Sequence, residues 1–225
     1  MTPERYQRIR HVLDRRQPDL TVLMDYVNKP HNFSAILRSC DSVGVFEAHA
    51  VTDRRYLKAN KTASAGSGKW VQLANQPSLE SAFATFREQG MQVLVAHDSA
   101  SAVDFREVDF TRPSALVMGA ELYGPSDYSV AHADHHITIP MAGMAESLNV
   151  SVAAAVILFE AQRQRENAGF YDAPRLDDDT YWRTVLRWAY PKVARECDER
   201  GLPYPTLRES DGELVDLPGE GGLEG

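Results

Sequence analysis

A chain of 225 residues and 25.1 kDa, 43% hydrophobic and 25% charged, has the makeup of an ordinary globular protein with one core. That excludes a mainly disordered chain and gives fibrous or collagen-like readings no support. The most apolar stretch, Val150 to Phe159, falls far short of the roughly 18 residues a membrane helix needs. MTPERYQRIRH has no apolar core behind its positive charges, so neither a span nor a secretory leader is expected and the cytoplasm is the expected location. Cys40 and Cys197 stand in no CxxC or zinc-ligand spacing, which suits a reduced compartment.

In chain order, Thr2 can cap a first helix, Pro3 suits its first turn, and Tyr6, Ile9 and Leu13 recur at helical spacing. Short β-rich runs follow at 20–27, 47–51, 70–74, 91–97, 114–119 and 136–141. Helical patterns alternate with them at 32–43, 78–89, about 126–133 and about 146–167. The alternation predicts an α/β fold, and continuously apolar strands predict a parallel, doubly wound sheet with helices on both faces. Beyond Gly169 a helical hairpin is expected, with Tyr181, Val185, Leu186, Trp188 and Ala189 as one buried stripe, Pro191 opening its second helix and Gly201 closing it. Residues 209–225 carry six acids and no base and read as a frayed tail. The expected organisation is a basic helical extension at 1–19, a domain at 20–167, a helical extension at 168–208 and the tail.

The net charge of -8 is unevenly spread: residues 1–70 hold 12 Lys and Arg against 7 Asp and Glu, and the remainder 12 against 25. The basic front includes Arg5, Arg8, Arg15, Arg16, Arg54, Arg55, Lys58, Lys61 and Lys69. Charge alone leaves open whether it is a positive face for a polyanion or a solvated helix with a basic loop.

Several motifs fail on inspection. AGSGKW (65–70) lacks both the Gly five residues before its GK and the hydroxyl residue after it that a phosphate-cradling loop needs. No GxGxxG follows the first strand and no GxSxG occurs, so dinucleotide binding and serine hydrolysis have no support. HADHH (132–136) has no nearby Cys or carboxylate pattern and reads as a surface cluster, with no metal expected.

Three segments carry chemistry. In NKPHNFSAILRSCDSVG (28–44), Asn32 is a plausible helix cap, and Arg38 offers a planar fork for phosphate or for a simple pair with Asp41. In ALVMGAELYGPS (115–126), Gly119 and Gly124 would let the backbone approach a ligand, and Glu121 stands at the carboxyl end of a strand, where open α/β sheets bind ligands. In the third, 137–165, an apolar loop rich in Gly, Ala and Met leads to Ser147 and Asn149 near a helix start. Free main-chain groups beside apolar surface suit an adenine and a polarizable sulfur compound; the plainer role is capping and core filling.

Together these segments, with GLPYP near the end, resemble the SPOUT superfamily of methyltransferases, and within it the SpoU/TrmH-type tRNA guanosine 2′-O-methyltransferases. The resemblance covers nearly the whole chain. It implies a parallel sheet with a carboxyl-terminal trefoil knot, a homodimer with its site at the interface, tRNA as partner and no membrane. It also implies transfer of the methyl of S-adenosylmethionine to a ribose 2′-hydroxyl of the D-loop guanosine, without a metal. Residue by residue, it gives the catalytic set Asn32, Arg38, Glu121, Ser147 and Asn149. It places the methyl donor against Ala96, His97, Gly119, Ile139, Met141, Ser147 and Leu148, largely through backbone atoms, and assigns RNA contact to the basic front. Methylation of rRNA and a non-catalytic RNA-binding relative are the rival readings. Two departures stand out: the turn after the fourth strand reads AHDS, where a hydroxyl residue usually precedes the His, and Leu122 and Tyr123 replace a charged and a small residue, which bears on RNA contacts near Glu121.

Overall fold

The computed structural model describes residues 1–52 and 69–215, which form two compact units: Gln17–Phe170, and Met1–Arg16 together with the chain from Tyr171 onward.

The described residues of the larger unit hold seven strands: β1 (Leu20–Asp25), β2 (Glu47–Val51), β3 (Gln72–Asn75), β4 (Gln92–Ala96), β5 (Val103–Asp104), β6 (Ser114–Met118) and β7 (His135–Thr138). All are parallel, in the order β3-β2-β1-β6-β4-β7-β5. Alternation along the strands sorts the core into two layers. Leu20, Val22, Met24, Leu94 and Leu116 pack with α2 (Pro30–Ser42) and the long helix α5 (Val150–Asn167). Leu23, Val93, Val95, Ala115 and Val117 pack with α3 (Leu79–Glu88), and Tyr128 of α4 (Asp127–His132) joins them. The expected α/β architecture with helices on both faces is thus found.

Arg165, near the end of α5, is wholly buried and ties the helix to the amino ends of the strands. Its guanidinium donates to Asp19 Oδ1 (2.6 Å), Gln17 Oε1 (3.1 Å) and the carbonyls of Phe110 (2.8 Å), Asp19 (3.1 Å) and Arg112 (3.2 Å).

Several boundaries differ from expectation. The two-residue β5 is too short to leave an alternating pattern and pairs only with β7. The strand expected to run to 141 stops at Thr138 and Pro140 follows, with no N–H for a ladder. The helix expected from 146 begins at Val150, capped by Asn149. Pro30 sits in the first turn of α2, which moves the cap position to Lys29 and puts Asn32 inside the helix rather than at its cap.

The smaller unit comprises α1 (Pro3–Leu13), α6 (Asp178–Ala189) and α7 (Pro191–Arg200). Tyr181 donates to Asp14 Oδ1 at 2.7 Å and accepts from Arg10 Nε at 3.5 Å. In the expected stripe, Tyr181, Val185 and Leu186 are buried and Trp188 and Ala189 half-buried. Residues 209–215, which read as frayed in the sequence, are folded. Leu207 bridges Leu214, Tyr190 donates to the Gly212 carbonyl at 2.9 Å, and Arg208 pairs with Asp211 and Glu213. Residues 216–225 lie outside the described part.

Candidate active site

The neighbouring strands β6, β4 and β7 end on a cavity of about 590 Å³ in the larger unit, within the size range of small-molecule sites. Ala96 and His97 line it from the end of β4, Gly119 from the end of β6, and Ile139 from beyond β7. Met141, Ser147 and Leu148 line it from the irregular segment that follows, so every residue expected at the methyl donor lines this one cavity. Segment 141–149 is exposed throughout and irregular, and its main-chain groups stand beside apolar Ile139, Met141 and Leu148.

The turn after β6 forms a second wall. A Cβ on Gly119 would lie 1.9 Å from Pro125 N, so the chain's own turn requires glycine at this position on the cavity lining. Gly124 has φ +71° and donates to the Ala120 carbonyl at 2.8 Å, closing the turn and presenting Glu121 to the cavity.

Hydrogen bonds join one residue from each of the three motifs. Asn32, 2% exposed, donates from Nδ2 to Glu121 Oε1 at 2.7 Å, and its Oδ1 accepts from Asn149 Nδ2 at 3.2 Å. Asn149 Oδ1 in turn accepts from Ser151 N (2.9 Å) and Ser151 Oγ (2.7 Å), capping α5. Ser147 does no capping work of the kind expected from sequence and stays on the cavity wall.

Arg38 is elsewhere. It is exposed on α2, in a shallow groove with Pro30, His31, Ser34, Ala35 and Ser39, off the cavity wall. Its guanidinium has no hydrogen-bond or ion-pair partner among the described residues, so the pair with Asp41 is not formed. Sequence reasoning passes over Lys29, on the cavity wall, and His31, in the groove with Arg38. Both stand in the NKPHN run, where a lysine and a histidine beside a helix start are the available signal.

Among the described residues no group of three or more His, Cys, Asp and Glu is placed to hold a metal. In the HADHH run, His136 is engaged at both nitrogens, by Ser99 Oγ (2.8 Å) and the Val130 carbonyl (2.9 Å), and His132 and His135 are exposed.

Of the basic front, Arg5, Arg8 and Arg15 are exposed. Arg16 is a correction: it is wholly buried, its guanidinium 5.4 Å from the Trp188 ring centre, where cation–π attraction and stem packing replace contact with a phosphate. Arg54, Arg55, Lys58 and Lys61 lie outside the described residues.

Fold and site define a parallel α/β protein built to take a small ligand at the carboxyl ends of its strands. Residues 19–159 match the SpoU rRNA Methylase family and residues 163–216 the C-terminal region of SpoU rRNA methylases. The chain belongs to the SpoU rRNA methylase family, as its three motifs suggest. It is 48% identical to the tRNA (guanosine(18)-2'-O)-methyltransferase of Escherichia coli strain K12, over 93% of this chain and 92% of that one. It is 54% identical to the Thermus thermophilus protein of the same name, over 83% and 96%. Among solved structures, the Aquifex aeolicus TrmH/SpoU tRNA modifying enzyme superposes with a TM-score of 0.78 at 44% identity, covering 84% of this chain and 97% of that one. The SpoU methyltransferase AviRb from Streptomyces viridochromogenes, in complex with the cofactor AdoMet, gives 0.58 at 31%, covering 68% and 62%.

Proposed function

We propose that this protein methylates the 2′-hydroxyl of a guanosine ribose in the tRNA D-loop, at position 18, using S-adenosylmethionine. The observation that carries the reading is the hydrogen-bonded set Asn32, Glu121 and Asn149 at a cavity walled by the residues expected to hold the methyl donor. The wall fits that donor, since main-chain groups of an irregular segment suit adenine and Met141 and Leu148 suit a sulfur compound. Ala96, His97, Gly119, Ile139, Met141, Ser147 and Leu148 would hold it. When bound, S-adenosylmethionine supplies an electrophilic methyl on a sulfonium. Asn32, Glu121 and Asn149 keep the two walls in register. Arg38 clamps an RNA phosphate and stabilises alkoxide character on the ribose oxygen, whose proton passes to that phosphate or to water, because a guanidinium is always protonated near neutrality.

The active form is a homodimer with its site at the subunit interface, in the cytoplasm, and the segment from Ile139 into α5 threads as a trefoil knot. Two features support the dimer: Arg38 is off the cavity wall of its own chain, and Val152, Val156 and Phe159 form an exposed apolar stripe on α5. Arg5, Arg8 and Arg15, with the basic residues of the 54–61 segment, supply phosphate contacts, so RNA affinity falls steeply with salt. The segments 1–19 and 168–208 serve as RNA-facing extensions of a catalytic domain at 20–167. The rRNA reading, carried by the family's own description, ranks second because the relatives that match along nearly the whole chain carry tRNA in their names.

The test is methyl transfer from tritiated S-adenosylmethionine to unmodified tRNA transcripts and to rRNA, with mapping of the labelled nucleotide. Label on one D-loop guanosine ribose is expected. Label confined to rRNA, or on a base, overturns the assignment.

A further inference from the structure

Lys29 and Leu122 line the cavity, Tyr26 stands three residues before the one and Tyr123 directly after the other, and none of the four takes part in the Asn32–Glu121–Asn149 set. Tyr26 follows β1 with φ +55°, the one non-glycine in the left-handed region among the described residues, and it is 39% exposed. An aromatic side chain there is strained where Gly or Asn would be relaxed, and such strain persists only when the surroundings impose it.

The surroundings do impose it. Tyr26 N donates to the Val51 carbonyl at 3.0 Å. The preceding Asp25, 1% exposed, accepts at Oδ2 from Ser126 N (2.8 Å), Ser126 Oγ (2.8 Å) and Ser129 Oγ (2.7 Å). That clamp also fixes the far end of the turn after β6, where Leu122 and Tyr123 are 78% and 88% exposed. Register puts Tyr26 and the start of the turn that carries Tyr123 at the carboxyl ends of neighbouring strands. Met24 pairs with Met118, so Tyr26 and Ala120 each lie two residues past that pair, on strands roughly 4.8 Å apart. Lys29 brings a cation to the same wall.

An aliphatic patch here would suit a protein partner. Two exposed tyrosines and a lysine beside a site that takes a ribose suit an unstacked base and its phosphate, because every base has a π-face and the backbone is anionic. We propose that Tyr26 and Tyr123 form a stacking rim for an unpaired nucleobase of the RNA substrate, with Lys29 on an adjacent phosphate. The inference rests on the RNA reading above and adds the residues that hold the base.

The test titrates full-length protein with an unmodified tRNA transcript carrying 2-aminopurine beside the target guanosine. Parent, Tyr123→Ala, Tyr123→Phe and Tyr26→Asn are compared. Binding to the parent quenches the fluorescence. Tyr123→Ala and Tyr26→Asn each weaken RNA affinity about 5- to 100-fold, the range base–aromatic stacking supports, while Tyr123→Phe binds like the parent. S-adenosylmethionine affinity by calorimetry is unchanged in all four, and Tyr26→Asn melts above the parent because the strained φ is relieved. The rim is overturned if the Ala and Asn variants bind RNA like the parent, or if Tyr123→Phe loses as much as Tyr123→Ala. A parent that binds no tRNA overturns the RNA reading and the rim together; a parent that methylates tRNA no better than these variants overturns the rim alone.

Discussion

Asn32 Nδ2 donates to Glu121 Oε1 at 2.7 Å, joining the first turn of α2 to the turn after β6 across 89 residues of chain. Glu121→Ala leaves that buried amide without its acceptor. A hydrogen bond to a charged group is worth about 1.5–3 kcal/mol, so a loss of that order is expected, with weaker S-adenosylmethionine binding as the cavity wall relaxes. Glu121→Gln keeps an acceptor and recovers part of both. Calorimetric melting and titration check this; a Glu121→Ala variant with the parent's melting temperature and donor affinity would refute it.

Arg38 separates binding from turnover. Because it is exposed and off the cavity wall, Arg38→Lys should leave S-adenosylmethionine affinity intact. A point charge replaces the planar fork, and turnover should fall about 100- to 1000-fold, the scale of losing one preorganised donor at a developing oxyanion. Single-turnover methyl transfer reads the effect directly, and a near-normal rate would sink the clamp.

What can be read from sequence follows the kind of signal each feature leaves. Apolar runs bounded by Gly and Pro mark six of the seven strands, whereas β5 has only two residues and no periodicity to detect. The site is visible only through the resemblance: Asn32 meets Asn149 across 117 residues, and no spacing rule brings them together. Arg16 reads as a solvent-facing cation because its neighbours in sequence are, but its burial depends on Trp188, far along the chain. Gly119 signals a close approach, and the turn at Pro125 is one the sequence did not name, since a glycine reports the space it leaves and not what fills it.

Arg165 holds five acceptors at the base of the sheet with no solvent exposure. Removing one side of such a buried charged network costs about 3–5 kcal/mol. Arg165→Ala is therefore expected to fall by that order in urea denaturation. Arg165→Lys should recover little, because an ammonium cannot reach five acceptors set out for a planar fork. A Lys variant of parental stability would show that charge alone suffices.

His49 gives the larger unit a pH dependence. It is 4% exposed on β2, accepts from Gln76 Nε2 at Nδ1 (2.9 Å) and meets the Phe86 ring edge-on. Burial lowers its pKa from 6.5 to about 4. Between those values the unfolded chain binds the proton and the folded chain resists it. The contribution is intact above pH 6.5 and is lost progressively as pH falls to about 4, by on the order of 3 kcal/mol. Denaturant titrations across this window should show that slope, and His49→Gln should remove its share whatever the variant's absolute stability. An unchanged slope in His49→Gln would place the dependence elsewhere.

The stripe on α5 tests the dimer. Val152, Val156 and Phe159 recur at helical spacing and are 48%, 36% and 51% exposed, an apolar face on the helix that Asn149 caps. Exposed positions tolerate substitution within about 0.5 kcal/mol, so Val152→Glu and Phe159→Glu should fold as isolated chains. Like charges brought face to face in a two-fold interface would oppose association. Sedimentation should then show monomers that melt near the parental temperature but transfer no methyl groups, because Arg38 would no longer reach a completed site. Full activity in a variant shown to be monomeric would place Arg38 and the cavity within a single chain's site and remove the need for a partner.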